Sequence, residues 1–151
     1  MPIVTDLGFQ TERNIELIQI DDIGTPDTGQ LSILLGSDDD PTRLIGLFER
    51  IELIVIMFTS FDDGRGFSLA RRLRALGYRG HLRARGHVIS DQYLMVRSCG
   101  FDDVEIDQHL AARQPEAHWL EAGKLTASYR RKLAGTTPHA TPAEDQAPKA
   151  A

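Results

Sequence analysis

The sequence predicts an α/β fold, with a mainly parallel sheet of about four strands in βαβαβα order, flanking helices, and a sheet either open or curled like a half-barrel. Three observations carry this. From Leu31 onward, short apolar runs alternate with stretches of helical periodicity, the pattern of βαβ units. The run Leu53-Ile54-Val55-Ile56-Met57-Phe58 is apolar on both faces, as in a central parallel strand covered by helices. Gly77 and Gly100 each stand where a periodic stretch stops, the usual place for a helix-ending glycine.

Taken in order, residues 1–30 read as a weakly structured lead-in with one edge strand at Ile15 to Ile20 and a turn-rich connector from Asp21 to Gly29. The main domain spans 31–133. Leu31 to Leu35 is its first strand, and Asp40 with Pro41 supplies an N-cap and a first-turn proline for a helix bearing Leu44, Leu47, Phe48 and Ile51 on one face. The core strand Leu53 to Phe58 follows. The next helix buries Leu69, Ala70, Leu73 and Leu76, presents Arg71, Arg72 and Arg74 outward, and stops at Gly77. A short strand lies near His81 to Arg85, Ser90 caps a helix through Cys99, and Val104 to Ile106 is a further core strand. The last helix runs from Gln114 to Leu133, with His118 and Trp119 as packing residues. Residues 134–151, with three prolines among alanines, threonines and charges, read as a disordered tail that includes His139.

Bulk composition narrows the function. The 151 residues are 41% hydrophobic and 26% charged, enough for one core. No apolar run approaches the ~20 residues a membrane helix needs, and no export signal opens the chain, so a soluble cytoplasmic protein is expected. The single cysteine, Cys99, excludes an intrachain disulfide and a Cys-x-x-Cys motif, and it reads as a buried core thiol remote from any site. A net charge of −5 argues against nucleic acid as partner. Charge is nevertheless segregated: seven arginines and no acid lie between Gly64 and Ser90, a stretch that suits an anion or an acidic partner as well as a solvated helix face.

In parallel α/β folds, ligands bind where the loops leave the C-terminal ends of the strands. That rule gathers Gly36 to Asp40, Thr59 to Gly66, Arg85 to Asp91 and the residues from Asp107 on one edge. The densest cluster is Asp62-Asp63-Gly64-Arg65-Gly66. If Asp63 caps the following helix, the glycines leave backbone N–H groups open and Arg65 adds a forked donor, which together read as an anion pocket or as turn chemistry. Arg85, Asp91 and Gln92 are its expected companions. Asp63 and Asp91 are the candidate general bases. Asp38, Asp39 and Asp40 read as one cap and two solvated charges, with Mg²⁺ binding as the alternative. His87 reads as a loop histidine able to exchange protons near neutral pH. No flavin, haem, cluster or zinc motif is present, so no cofactor is expected.

The string Phe61-Asp62-Asp63-Gly64-Arg65-Gly66-Phe67-Ser68, Ala70-Arg71, Leu73-Arg74, Gly77-Tyr78, Gly80, Leu82-Arg83-Ala84, Gly86, Asp91-Gln92 and Arg97-Ser98-Cys99-Gly100-Phe101-Asp102 resembles a bacterial family of uncharacterised proteins encoded beside assimilatory sulfite reductase. The resemblance covers about Leu31 to Asp107, and departs from the family pattern at Thr59, where proline is usual, and at His87, where an acid is common. It implies an accessory protein of assimilatory sulfate and sulfite reduction that binds a small anion or a redox-enzyme partner. Two further readings stand beside it: an enzyme acting on a phosphorylated or sulfated small molecule with Arg65 and Arg85 as clamp, and an interaction module, including a homodimer that completes a half-barrel.

Overall fold

The computed structural model describes residues 1–11, 13–24 and 29–136. Seven strands form one sheet: β1 (Ile3–Thr5), β2 (Gly8–Gln10), β3 (Ile18–Gln19), β4 (Leu31–Leu35), β5 (Ile51–Phe58), β6 (His81–Gly86) and β7 (Asp103–Glu105). Their spatial order is β2-β1-β7-β6-β5-β4-β3. From β3 to β7 all neighbours are parallel, whereas β1 pairs antiparallel with both β2 and β7. The helices are α1 (Arg65–Leu76), α2 (Tyr93–Ser98), α3 (Gln108–Arg113) and α4 (Glu116–Thr136).

The sheet is therefore mixed and, among the described residues, has seven strands, not four. Three of the seven, β1, β2 and β3, lie in the lead-in, and β1 and β2 were not expected. They are two or three residues long, too short to show periodicity, and tertiary contacts hold them. Asp6, in the β1–β2 turn, accepts from the Tyr93 hydroxyl at 2.6 Å and from Arg97 Nε at 3.2 Å. The Phe9 N–H donates to Glu116 at 2.7 Å. The edge strand expected at Ile15 to Ile20 is present as β3.

Asp40 caps the segment after β4 as anticipated, accepting from the Thr42 N–H at 3.0 Å, but residues Pro41–Arg50 form a 3-10 helix instead of an α-helix. This segment passes into β5 without a loop. At ~2.0 Å per residue against ~1.5 Å, the tighter helix returns the chain along the sheet in fewer residues. Ser90 is not the expected helix cap. Its hydroxyl donates to Gln114 Oε1 at 2.6 Å, and Gln92 accepts the Ile89 N–H at 3.1 Å ahead of α2. The last expected helix is present as α4, which continues to Thr136, and the short helix α3 ahead of it was not expected. From residue 137 the expected tail, with His139, lies outside the described residues, as do Thr25 to Thr28 of the turn-rich connector.

Strands that neighbour one another in chain order, joined by right-handed crossovers, place the crossovers on one face. The side chains directed to that face form the core: Ile33, Leu35, Ile54, Ile56, Phe58, Leu82, Ala84, Val104 and Ile106 are all buried there with Leu73, Tyr93 and Phe101. Cys99 is in the same core, as expected, and burial raises its thiol pKa. The opposite face carries Leu53, Val55, His81, Arg83, Arg85, Asp103 and Glu105, because side chains alternate along a strand. Across it the chain must pass from β2 at one edge to β3 at the other, and Arg13, Asn14 and Ile15 lie over Leu53, His81 and Arg83. No helix among the described residues is long and apolar enough to cross a membrane.

Candidate functional site

The loop after β5 is held by its own acids. The Ser60 hydroxyl donates to Asp62, the Asp63 N–H donates to Ser60 O at 3.2 Å, and Asp63 Oδ1 accepts the Arg65 N–H at 3.1 Å. Arg65 then folds back on the cluster. Its Nε and Nη2 donate to the two Asp63 oxygens at 3.0 Å each, and Nη1 donates to Asp38. Hydrogen bonds from Arg65 hold the Asp63 carboxyl below its ordinary range, and the same bonds raise Arg65. The fork expected to receive an anion is thus already closed on two carboxylates.

The glycines of this loop serve packing. A Cβ on Gly66 would lie 2.5 Å from the Phe58 ring, so glycine lets the first turn of α1 rest on the end of β5. Gly64 has open space around it and an ordinary φ of −79°. Of the expected companions, only Gln92 reaches the loop, donating to Phe61 O at 2.6 Å. Asp91 faces a separate groove beside α4. Arg85 belongs to the sheet face opposite the helices, where its Nη2 donates to Glu105 Oε1 at 3.0 Å. The three consecutive acids likewise separate: Asp38 meets Arg65, Asp39 accepts the Gly36 N–H at 2.7 Å, and Asp40 holds Thr42. Among the described residues, no three His, Cys, Asp or Glu side chains gather as a metal site.

The C-terminal edge does contain a cavity, beside the loop and not within it. About 350 Å³ in volume, it is lined by Phe61, His87, Ile89, Leu110, Arg113 and Gln114. These residues come from the exits of β5, β6 and β7, the position where parallel sheets bind ligands. Gly86 turns the chain toward it with φ +116°, and the His87 N–H donates to Phe58 O at 3.1 Å. Gln114 is fixed by accepting from the Ser90 N–H at 3.0 Å and from its hydroxyl. Arg113 forms no ion pair among the described residues. Sequence reasoning missed Phe61, Leu110, Arg113 and Gln114 as site residues; for the last three the reason is that the six-residue helix α3 was not expected. Asp107, which caps α3 by accepting the Leu110 N–H at 2.7 Å, was the available signal for this helix.

A second polar constellation lies on the far face of the sheet. Arg83 donates through Nε and Nη2 to both Asp103 oxygens at 2.7 and 3.0 Å, and His81 Nε2 meets Asp103 Oδ2 at 2.8 Å. Burial alone would raise Asp103, but hydrogen bonds from His81 and Arg83 outweigh it and hold the carboxyl low. The hydrogen bond to Asp103 raises His81 from its ordinary 6.5. The His81 contribution to stability is therefore complete below about pH 6.5 and is lost as pH rises through the higher folded-state value. The Asp103 contribution holds above its ordinary 3.8 and is lost as pH falls through its depressed folded-state value. Chemical denaturation is expected to show stability falling above neutral pH, with the slope reduced in His81→Gln. An identical slope in that variant would remove His81 as the cause.

No curated protein matches this chain. The model of a family described as "Bacterial protein of unknown function (DUF934)" matches residues 32–140, from β4 through α4, and so includes the edge cavity and the Asp62 to Gly66 loop. The chain belongs to this bacterial family of unknown function.

Proposed function

We propose that this chain is a cytoplasmic accessory protein of assimilatory sulfite reduction that binds a small anion in the edge cavity, with Arg113 as receptor and His87 as second donor. The observation that carries the reading is the pairing pattern of the cations. Arg65 is neutralised by Asp63 and Asp38, whereas Arg113 opens on the cavity with no ion pair among the described residues. The apolar neighbours Phe61, Ile89 and Leu110 lower the local dielectric and strengthen a charge-assisted contact there. The pathway rests on the resemblance of the Phe61 to Asp102 string to proteins encoded beside sulfite reductase. Phe61, 59% exposed at the cavity mouth, suits a surface covered by a redox-enzyme partner.

A half-barrel curl of the sheet is part of this proposal. Eight Cα–Cα steps from Gln10 to Ile18 reach at most ~29 Å, while six strand spacings of a flat sheet span about as much, so clearing the face requires the sheet to bend. General-base catalysis has less support, since Asp63 is weakened as a base by Arg65 and Asp91 faces another groove.

Thermal-shift titrations with sulfite, sulfate, phosphate and small carboxylates test the reading. At least one anion is expected to raise the melting temperature, with the shift lost in Arg113→Ala and kept in Arg65→Ala. The reverse dependence would return the site to the Asp62 to Gly66 loop, and indifference to every anion would reject a small-anion site. A pull-down with sulfite reductase tests the partner. Normal growth of a deletion strain on sulfate as sole sulfur source would sink the pathway.

A further inference from the structure

Helix α4 is longer than the body on which it packs. Its first half is seated, with Trp119 and Thr126 buried and Gly123 so close to the Asp6 backbone that a Cβ would come within 3.0 Å of Asp6 O. From Tyr129 to Ala134 every residue is exposed. Ala122, Leu125, Tyr129 and Leu133 recur at helical spacing and form one stripe. Leu125, Tyr129 and Leu133 are 66, 44 and 50% exposed. Such a stripe on a helix is a partner-facing surface when its flanks are polar.

The two halves of the helix are complementary in charge. Beside the seated half, a groove of about 670 Å³ runs between α2 and α4, with Leu94, Ala122 and Leu125 as apolar lining and Asp91 and Glu121 as acids. The projecting half, Tyr129 to Ala134, carries Arg130, Arg131 and Lys132 and no acid. A surface holding both a groove and the segment that fits it, with opposite charges, is self-complementary, which is the requirement of a two-fold interface.

We propose that a second copy of this chain occupies the groove, the two α4 helices pairing antiparallel about a two-fold axis near Ala127. In this register Leu125 meets Tyr129 of the second copy, Ala122 meets the turn at Lys132 and Leu133, and Glu121 faces Lys132. The contact of Glu121 with Lys124 in its own helix, at 3.4 Å between side chains that are both about three-quarters exposed, contributes little and is readily exchanged.

Sedimentation velocity of the full chain tests this. A dimer is expected at about 100 µM, and Leu125→Glu or Tyr129→Glu should yield monomer with an unchanged circular dichroism spectrum, since both residues are exposed. Glu121→Lys and Lys132→Glu are each expected to weaken the dimer about fivefold or more, and together to restore it. A monomeric wild type, or a dimer that survives Leu125→Glu combined with Tyr129→Glu, would overturn the proposal. Failure of the double charge exchange to restore association would overturn the antiparallel register.

Discussion

Replacing Asp103 with alanine is expected to lower the unfolding free energy by about 3–5 kcal/mol, the usual consequence of removing one partner from a buried ion pair. The Asp103 side chain is only 6% exposed, and it is bonded to Arg83 Nε and Nη2 and to His81. Its removal takes away the carboxylate to which Arg83 Nε and Nη2 donate, in a site where the guanidinium is itself only 12% exposed, and leaves the Glu105 carboxylate at the longer distance of 3.9 Å. Urea denaturation reads the loss. Asp103→Asn keeps the volume and one acceptor, so it should fall between wild type and alanine. A loss below about 1 kcal/mol for the alanine variant would mean that the pair is hydrated in solution and worth no more than a surface contact.

Gly86→Ala is the second large effect, expected at about 2 kcal/mol or more of destabilisation, from a strained backbone conformation joined to a steric clash. Gly86 has φ +116°, and an added Cβ would sit 2.3 Å from Phe58 O, a backbone atom that cannot step aside. The same oxygen accepts the His87 N–H at 3.1 Å, so the clash would act on the exits of β5 and β6 that line the edge cavity. Anion-induced thermal shifts should therefore weaken along with stability in this variant. Gly64→Ala, at an ordinary φ with open space, provides the contrast and should stay within about 0.5 kcal/mol of wild type.

What could be read from the chain was whatever repeats locally. The strands at Leu31 to Leu35 and Leu53 to Phe58 are runs of apolar side chains, and the stop of α1 at Gly77, with φ +107°, follows from the one residue that takes this conformation without cost. Strands β1 and β2 left no comparable trace. At three residues each they have no period, and they exist because β1 finds the free edge of β7 and because Asp6 finds Arg97 from far along the chain.

The candidate site divided in the same way. The edge on which it lies follows from strand and helix order, and the Asp63 contact with the backbone of residue 65 is a local turn legible in the residues themselves. Arg65 is closed by Asp63, two residues away, and by Asp38, 27 residues away on another strand exit, and composition gave no sign of the second pairing. Arg85 and Asp91 are near Gly66 in neither case: one side chain alternates to the far face of the sheet, and the other turns toward α4.

By itself, then, the sequence determined the α/β class, the central parallel strands, the helix stops and the family-bearing string, because each rests on contacts within a few residues. Only the tertiary structure decided the seven-strand order, the buried Arg83–Asp103–His81 cluster and the opening of Arg113, in place of Arg65, onto the edge cavity. The physical reason is common to all three. Charge pairing and edge-strand pairing depend on distances between residues far apart in the chain, and those distances exist only once the chain is folded.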